Sequence, residues 1–495
     1  MRTGFFILVL SLFSCRQTPE PESTDISYRV ENIRLPEGLT GETGAIEFLP
    51  DGRLVACFLR GEVMIYDPKK QDWQVFASGL HEPLGLLVLK EKEMLVMQRP
   101  ELTRLVDTDE DGKADLFETV TDAFGMTGNY HEWNYGPVRD PDGNLYIGLN
   151  TASEYGIVMP EVRGKLDTTL VPGKPLQKFA AVPYRGWIMQ LKPDGSIHPF
   201  ACGFRSPNGL VIDDQNRLFA TDNQGDWVGT SVLYQVQQDH FYGHPASLLW
   251  KEGWDRGDPS KLPVKELEGM RTLGAVLFPH GIMAASPTQP VIDRTSGKFG
   301  PFTGQFFIGE MNQERILRVM LEEIDGQLQG ACMPFLDGQG LLKGSNRLAF
   351  APDGSLWVGH AQHGFAGDLG IQRIVYTGRA PMDIHEMHLL KNGFELAFTQ
   401  PVHDTAILDP SRFKLRHYYY EYHLKYGSDQ FDVKEVPVSR VEISQDRKTL
   451  ILKLPEIKAG YVYELNLPDL ISDIGTSLEN KLICYTVNKL MSYEQ

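Results

Sequence analysis

Residues 203–225 read Gly-Phe-Arg-Ser-Pro-Asn-Gly-Leu-Val-Ile-Asp-Asp-Gln-Asn-Arg-Leu-Phe-Ala-Thr-Asp-Asn-Gln-Gly. A turn rich in Pro, Asn and Gly, at Ser206 to Gly209, precedes an apolar segment at Leu210 to Ile212. A polar turn and a second apolar segment, Leu218 to Thr221, follow. The pattern predicts a β-hairpin with Arg205 at the start of its first strand and a polar loop after its second.

The same unit recurs along the chain: an apolar strand, a turn that often reads Pro-Asp-Gly, and a second strand that ends in polar residues. The other copies are Ala45 to Ala56, Gly85 to Val96, Gly136 to Ile147, His280 to Gly309 and Arg347 to Val358. Six copies predict a β-propeller, whose four-stranded blades take roughly 40 to 50 residues each. Two long insertions, residues 151–183 and 240–277, are expected to form binding surfaces on this scaffold.

The repeat stops after Gly378, and short alternating strands continue to the C-terminus. This pattern predicts an all-β chain in which a six-bladed β-propeller, residues 28–378, is followed by a small Ig-like β-sandwich, residues 380–495. The 48 glycines and 31 prolines agree with many short strands joined by turns.

The composition restricts the class of ligand. The chain has 495 residues, 42% of them hydrophobic, and a formal net charge of −17. A nucleic-acid partner requires a basic face, so the charge argues against one. Small molecules or neutral polymers are the expected ligands.

Residues 1–14 have the charged start and short apolar run of a secretory signal. Because Leu12-Phe-Ser-Cys15 resembles a bacterial lipobox, Cys15 is expected to be lipidated, with residues 15–27 as a tether. The protein would then be anchored in the bacterial cell envelope by lipid alone, at the outer membrane, on its periplasmic or outer side. The alternative is an ordinary signal with an incidental cysteine.

Four further cysteines are widely spaced and match no metal-binding pattern. They are Cys57, Cys202, Cys332 and Cys484. In an oxidising compartment they could pair in three ways, and buried free thiols are the other interpretation.

An acidic loop, residues 107–118, has the spacing of a twelve-residue calcium loop, with Gly112 at the sharp turn. The predicted ligands are Asp107, Asp109, Asp111, the backbone carbonyl of Lys113, Asp115 and Glu118. A solvated acidic turn is the alternative. An ion here is expected to stiffen the loop.

Two residues at the starts of predicted blades are candidates for chemistry. His131, between aromatic residues and Glu132, is suited to act as a general base near neutral pH, although a structural histidine is the alternative. Arg205 is costly to bury without an anion, so it is expected to bind one or to form an ion pair with a neighbouring blade.

The segment Gly203-Phe-Arg-Ser-Pro-Asn-Gly-Leu, with the later Leu-Phe-Ala-Thr-Asp-Asn-Gln-Gly225, resembles the glucose and sorbosone dehydrogenases. These are six-bladed propellers that use pyrroloquinoline quinone (PQQ) and calcium. The chain resembles more closely their membrane-bound dehydrogenase-like branch of bacterial lipoproteins. The acidic loop, Phe241 to Pro245 and Tyr420 to Gly427 carry this likeness, which covers roughly residues 30 to 490.

The resemblance implies that His131 removes a proton from a sugar hydroxyl while hydride passes to the quinone. It implies that Arg205 stabilises charge on the quinone oxygens and that Asn150 lies near an acidic partner of His131. Further cofactor-binding positions implied by the resemblance are Ser206, Asn223, Gln224, Gly225, His280 and Arg347, of which the carbonyls of 223–225 would hold calcium. A separate electron acceptor, such as a cytochrome or a quinone pool, is then required.

Two other functions remain open at this point. One is a non-catalytic carbohydrate-binding lipoprotein that holds a glycan on the propeller face. The other is a calcium-dependent lactonase-type hydrolase, in which carboxylates and an asparagine converge on a central metal.

Overall fold

In most of the repeated polar turns that close β-hairpins, one residue adopts a left-handed backbone, which favours Gly or Asn. Gly52 has φ 90° and Asn216 has φ 59°. In the turn before Asn216, the Asp213 carboxylate accepts a hydrogen bond from the backbone N–H of Arg217 at 2.8 Å. The turn chemistry therefore fixes the hairpin that the sequence predicts.

The computed structural model describes residues 26–156, 162–167, 177–363, 367–403 and 409–492. Cys15, the predicted signal and most of the predicted tether lie outside the described residues. Within the described part of the chain, no helix is long and apolar enough to cross a membrane.

Five antiparallel sheets of four strands, and four strands of an eight-stranded sheet, form the six blades. Blade 1 consists of β2 (Thr43–Phe48), β3 (Leu54–Phe58), β4 (Val63–Asp67) and β5 (Asp72–Ala77). Blade 2 consists of β6 (Gly85–Lys90), β7 (Glu93–Met97), β8 (Leu102–Val106) and β9 (Leu116–Thr121). Blade 3 consists of β10 (Asn134–Arg139), β11 (Leu145–Leu149), β14 (Trp187–Leu191) and β15 (Ile197–Cys202).

The remaining three blades complete the ring. Blade 4 consists of β16 (Gly209–Ile212), β17 (Leu218–Asp222), β18 (Ser231–Val236) and β19 (Val276–Phe278). Blade 5 consists of β20 (Pro287–Ile292), β21 (Phe306–Glu310), β22 (Ile316–Ile324) and β23 (Gln327–Phe335). Blade 6 combines β24 (Ser345–Phe350), β25 (Leu356–His360) and β26 (Gly370–Tyr376) with the first strand of the chain, β1 (Tyr28–Ile33).

The ring is closed by the N-terminal strand, which pairs with β26 from Tyr28↔Tyr376 to Ile33↔Ile371. Each inner strand contacts the inner strands of both neighbouring blades, from β2 round to β24 and back. These arrangements confirm the predicted fold class, an all-β chain built on a six-bladed propeller.

The fifth predicted repeat is misplaced at its start. The segment after His280 forms a turn, and the inner strand of blade 5 begins at Pro287. Pro287 and Pro290 lack the backbone N–H that a regular strand donates, which hid this strand from the alternation pattern.

Two insertions cover one face of the propeller. Within the first, β12 (Ala152–Ser153) pairs with β13 (Lys178–Phe179). The second contains α1 (Val264–Met270) and two short 3₁₀ helices, Pro245–Trp250 and Pro259–Lys261. The Trp250 indole N–H donates to the Ala180 carbonyl at 2.8 Å, so the two insertions are joined.

The C-terminal part is a sandwich of two sheets around a shared apolar core. One sheet contains β27 (Ile384–Leu390), β28 (Gly393–Phe398), β32 (Thr449–Lys453) and β31 (Arg440–Ile443). The other contains β34 (Leu482–Val487), β33 (Tyr461–Asn466), β29 (Lys414–Tyr420) and β30 (Gln430–Glu435), and a 3₁₀ turn, Pro410–Arg412, precedes β29. The predicted domain boundaries and the Ig-like character of this part stay predictions.

The sandwich and the propeller share a continuous sheet. Strand β34 pairs with β23 of blade 5, from Gly330↔Thr486 to Cys332↔Cys484. The junction also holds a buried ion pair in which Arg318 of blade 5 lies 3.0 Å from Asp383. The four described cysteines are buried free thiols.

Candidate functional site

One face of the propeller gathers the polar side chains that the sequence singles out. The inner strands run in the same direction around the axis, so their first residues lie on the same face. Because the second strand of each blade is antiparallel to the first, its last residue reaches that face too. His131, just before β10, and Arg205, just before β16, are therefore brought to one site with Asp222 at the end of β17.

The His131 side chain is buried and held in one orientation. Its Nδ1 lies 2.7 Å from the Thr151 carbonyl oxygen, which can only accept, so Nδ1 carries the proton in the neutral ring. Nε2 then keeps its lone pair and forms no hydrogen bond with the described residues. Burial, with the nearby charges of Lys178 and Arg205, lowers the pKa of His131 well below its usual value. His131 is a neutral base at physiological pH.

A chain of hydrogen bonds connects His131 to Arg205. The Asn129 side-chain oxygen accepts from the backbone N–H of His131 at 3.0 Å. The Thr151 hydroxyl, in turn, donates to the Arg205 carbonyl at 2.9 Å. Blades 3 and 4 therefore fix the two functional side chains relative to each other.

The Arg205 side chain is buried, and its guanidinium has no hydrogen-bond partner among the described residues. Its Nε lies 3.8 Å from Asp226 Oδ1, and both atoms are buried without a hydrogen bond. The guanidinium also lies over the Tyr426 ring, 5.4 Å from the ring centroid. An arginine held in this way retains the capacity to bind an anion or a carbonyl oxygen.

Two buried carboxylates organise the loop around Arg205. Asp222 accepts from the backbone N–H groups of Arg205 at 2.9 Å and Ser206 at 2.6 Å. Asp226 Oδ2 lies 3.2 Å from His244 Nε2. Burial raises the pKa of Asp222, whereas His244 and Arg205 outweigh burial and lower the pKa of Asp226.

Sequence reasoning missed a lysine at this site. Lys178 on β13 is buried, and its backbone N–H donates to Asp226 Oδ2 at 2.8 Å. Burial, and then the charge of Arg205, lower the pKa of Lys178 to about 7. No motif marks this residue, because it lies in a long insertion and only the pairing with β12 brings it to the site.

The C-terminal sandwich also contributes to the site, through the loop between β29 and β30. The backbone N–H of Gly427 donates to the Gly225 carbonyl at 2.9 Å, and the N–H of Trp227 donates to the His423 carbonyl at 3.1 Å. Tyr426 in this loop is 47% exposed beside Arg205. The sequence likeness at Tyr420 to Gly427 identified this loop without showing where it docks.

Several predicted residues occupy other environments. Asn150 donates to the Ser206 hydroxyl at 2.9 Å, and its own oxygen is buried without a partner. The expectation that Asn150 stands near a carboxylate partner of His131 is corrected, because the Thr151 carbonyl accepts from that ring. His280 is exposed after blade 4.

Arg347 lies at the propeller axis. Its guanidinium donates to the carbonyls of Gly44 at 2.9 Å, Leu84 at 3.1 Å and Asn346 at 2.7 Å, and lies 4.9 Å from the Tyr135 ring centroid. Burial lowers its pKa to about 10. These bonds tie three inner strands together, and they leave Arg347 little capacity for the cofactor that the resemblance implies.

The 223–225 loop has one of the three carbonyls of the calcium site that the resemblance implies already engaged. The Gly225 carbonyl already accepts hydrogen bonds from Gly427 and, at 3.2 Å, from Val228. The Gln224 side chain donates to the Gly229 carbonyl at 3.2 Å. In this loop the Asn223 side-chain oxygen is buried without a partner.

The acidic loop, residues 107–118, joins β8 to β9 on the opposite face. Carboxylate oxygens of Asp107, Asp109 and Asp111 lie within 4.8 Å of one another, as a calcium site requires. Asp115 instead accepts from Thr108 at 2.8 Å. Glu118 lies in β9, 2.9 Å from Arg104 on the neighbouring strand, so it does not join the cluster as predicted. Lys113 is exposed within this loop.

Comparisons with known proteins identify a family and a structure of similar fold. The model of a family described as a domain of unknown function, DUF7133, matches residues 66–359. No curated protein matches the chain. Its structure is similar to a protein described as an oxidoreductase (glucose dehydrogenase) from Thermus thermophilus, at 18% identity and TM-score 0.50, over 70% of this chain and 100% of the other.

Two further solved structures are similar at lower TM-scores. The PQQ-bound aldose sugar dehydrogenase of Streptomyces coelicolor has 18% identity and TM-score 0.43, over 70% of this chain and 98% of the other. A gluconolactonase of Xanthomonas campestris has 15% identity and TM-score 0.41, over 70% and 90%. The similarity to the Thermus protein shows the propeller fold, and at this identity the activity has to be inferred from the site.

Proposed function

The chain belongs to the DUF7133 family, and from its site we propose that it is a propeller oxidoreductase that oxidises a hydroxyl or hydrated aldehyde group of a sugar with an anionic quinone such as PQQ. One observation supports this most directly. A neutral His131 with a free Nε2 lies in the same buried site as Arg205, whose guanidinium has no hydrogen-bond partner among the described residues. A neutral base beside a buried cation with free hydrogen-bonding capacity suits oxidation of an alcohol, because the base takes the hydroxyl proton and the cation stabilises negative charge.

The site fits the anionic part of such a quinone. Arg205 and Lys178 place two basic groups in a buried site, where carboxylate or quinone oxygens would find charge-assisted hydrogen bonds. When bound, the quinone would supply the acceptor for hydride. In the 223–225 loop the Gly225 carbonyl accepts two hydrogen bonds, so Asn223 and Gln224 would have to supply the calcium ligands that the resemblance implies. Arg347 is likewise committed to the axis.

His131 performs the proton transfer in this proposal. Its Nε2 takes the proton of the substrate hydroxyl, while the Nδ1–H to Thr151 keeps the ring in the correct tautomer. Burial and the nearby charges of Lys178 and Arg205 disfavour the imidazolium. The proton is therefore passed on readily after each turnover.

Tyr426 lines the mouth of the site in this proposal. Its ring is partly exposed beside Arg205 and comes from the C-terminal sandwich. Aromatic rings stack on the apolar faces of sugars, so Tyr426 would orient the substrate. The sandwich then contributes to substrate binding, and a role as a spacer does not account for this contact.

Envelope anchoring through Cys15 and a separate electron acceptor, a cytochrome or a quinone pool, are parts of the same proposal.

Calcium is assigned to the acidic loop, where it would stiffen the β8–β9 connection. The lactonase alternative has less support, because the metal-binding cluster found among the described residues lies in that loop, away from His131.

Titration with PQQ, followed by absorbance and calorimetry, tests binding. Dye reduction with aldoses then tests turnover. We expect quinone-dependent turnover that His131→Gln reduces about 100-fold or more, as for loss of a general base. The matched control is His198→Gln, because His198 is an exposed histidine on β15. The absence of any quinone binding would refute the oxidoreductase.

A further inference from the structure

Lys178 has an environment that structural lysines rarely have. It lies in β13, where Ser153 is its partner across the β12–β13 pair. The residue is 7% exposed, and its backbone is fixed by the hydrogen bond to Asp226. Its ammonium forms no hydrogen bond or ion pair with the residues that the structure describes. The side chain is thus held in place without a partner for its charge.

The neighbouring groups explain why the amine stays unpaired. Asp226, the nearby carboxylate, uses Oδ2 for the Lys178 backbone and His244, and its Oδ1 faces Arg205. Arg205 is a fixed positive charge in the same site, and His131 is held neutral there. A buried lysine beside another cation loses its proton near neutral pH, which is how amines become nucleophiles in enzymes.

Lys178 Nζ is also accessible to a small ligand. Although the residue is nearly buried, its Nζ is not among the fully buried polar atoms without a hydrogen bond, so part of the Nζ surface is accessible. The charge of Arg205 acts on Lys178, so the two side chains lie close together. One small molecule can therefore contact both side chains.

We propose that Lys178 Nζ is a nucleophilic amine that forms an imine with a small aldehyde or oxo acid whose carboxylate is bound by Arg205. The amine nitrogen forms a bond to the carbonyl carbon and gives a carbinolamine. His131 Nε2 takes a proton from the carbinolamine nitrogen and passes it to the hydroxyl group. The hydroxyl then leaves as water, and a C=N bond forms. One amine and one carbonyl compound give one imine and one water, and no oxidant is needed.

This chemistry is separate from the proposed oxidation, although it uses the same site. It requires neither a quinone nor hydride transfer, so it can be measured on the protein alone. A quinone bound at Arg205 would protect Lys178 from the carbonyl probe. The two proposals can therefore fail independently.

The experiment uses glyoxylate, which carries an aldehyde and a carboxylate, with cyanoborohydride to reduce the imine. Peptide mapping by mass spectrometry measures the rate of modification at Lys178 and at the exposed Lys192 of the same protein. At pH 7 a lysine with a pKa near 7 is about half neutral, whereas an ordinary lysine is less than about 0.1% neutral. We therefore expect Lys178 to be modified at least about tenfold faster than Lys192.

Three controls sharpen the result. Lys178→Met removes the modified peptide, and circular dichroism checks its fold. Arg205→Met removes the neighbouring charge, so the pKa of Lys178 rises and modification at pH 7 slows. Glycolaldehyde has no carboxylate and is expected to react more slowly than glyoxylate at Lys178. Equal rates at Lys178 and Lys192, or no change in Arg205→Met, would overturn the proposal.

Discussion

Gly225→Ala displaces Arg205 without changing its charge. An added Cβ at position 225 would lie 1.8 Å from Arg205 Nε and 2.3 Å from its Cδ. The backbone of Gly225 does not have a positive φ, so alanine itself is tolerated there. The loop carbonyl is also held by Gly427, which makes the arginine the group that moves.

The size of the shift follows from the contact distance. To reach the 3.4 Å of an ordinary contact, Nε must move by 1.6 Å. That shift takes the guanidinium out of hydrogen-bond range of any ligand it holds, and it disrupts the stacking on Tyr426. Loss of one positioned electrostatic donor costs about 100- to 1000-fold in rate, roughly 2.7–4 kcal/mol. Loss of a cation–π contact costs only about 0.5–2 kcal/mol of stability.

The assay is quinone-dependent dye reduction, with quinone affinity measured by calorimetry. The matched control is Gly269→Ala in α1, where an added Cβ meets nothing within 4 Å. In a helix this control gains about 0.5–1 kcal/mol of stability and leaves turnover unchanged. If Gly225→Ala keeps wild-type affinity and turnover, Arg205 does not contact the cofactor.

Three further predictions concern other parts of the molecule. Burial and the charges of Lys178 and Arg205 lower the pKa of His131, so the base stays neutral below pH 6.5. We therefore expect kcat/KM to fall only below pH 6.5. A fall in kcat/KM that begins above pH 7 as the pH is lowered would contradict this. Calcium at 100 times its Kd should add about 2.7 kcal/mol to the free energy of unfolding and so raise the melting temperature. Asp109→Asn should weaken this effect. A melting curve insensitive to chelator argues against an ion in the acidic loop. Arg318→Met leaves Asp383 buried without its cation and should lower the free energy of unfolding in denaturant by about 3–5 kcal/mol. Breaking the exposed Arg440–Glu442 pair should cost at most about 1 kcal/mol. Equal losses would show that the buried pair does not stabilise the junction.

The candidate site could be predicted only in part. His131 and Arg205 were identified because each precedes the first strand of a repeat, and repeats place equivalent positions on the same face. Arg347 lies inside the first strand of blade 6, and its side chain bonds backbone carbonyls. Proximity to a repeat's first strand therefore does not determine what a side chain contacts.

Lys178 and Tyr426 could not be found in this way. Lys178 gains its chemistry from Arg205 and Asp226, which are distant in sequence and belong to the next blade. Tyr426 reaches the site because the sandwich loop docks on blade 4. Local patterns contain no information on such long-range neighbours.

By itself the sequence determined the number of hairpins and the propeller, because turn residues and strand alternation are local properties, although prolines hid the start of one strand in blade 5. Only the tertiary structure decided how the site is assembled: His131 is neutral, the Arg205 guanidinium makes no hydrogen bond with the described residues, Lys178 lies beside them, and the sandwich is joined to blade 5. Burial and charge at a site depend on groups that folding brings together from several blades, so they exist only once the ring has closed.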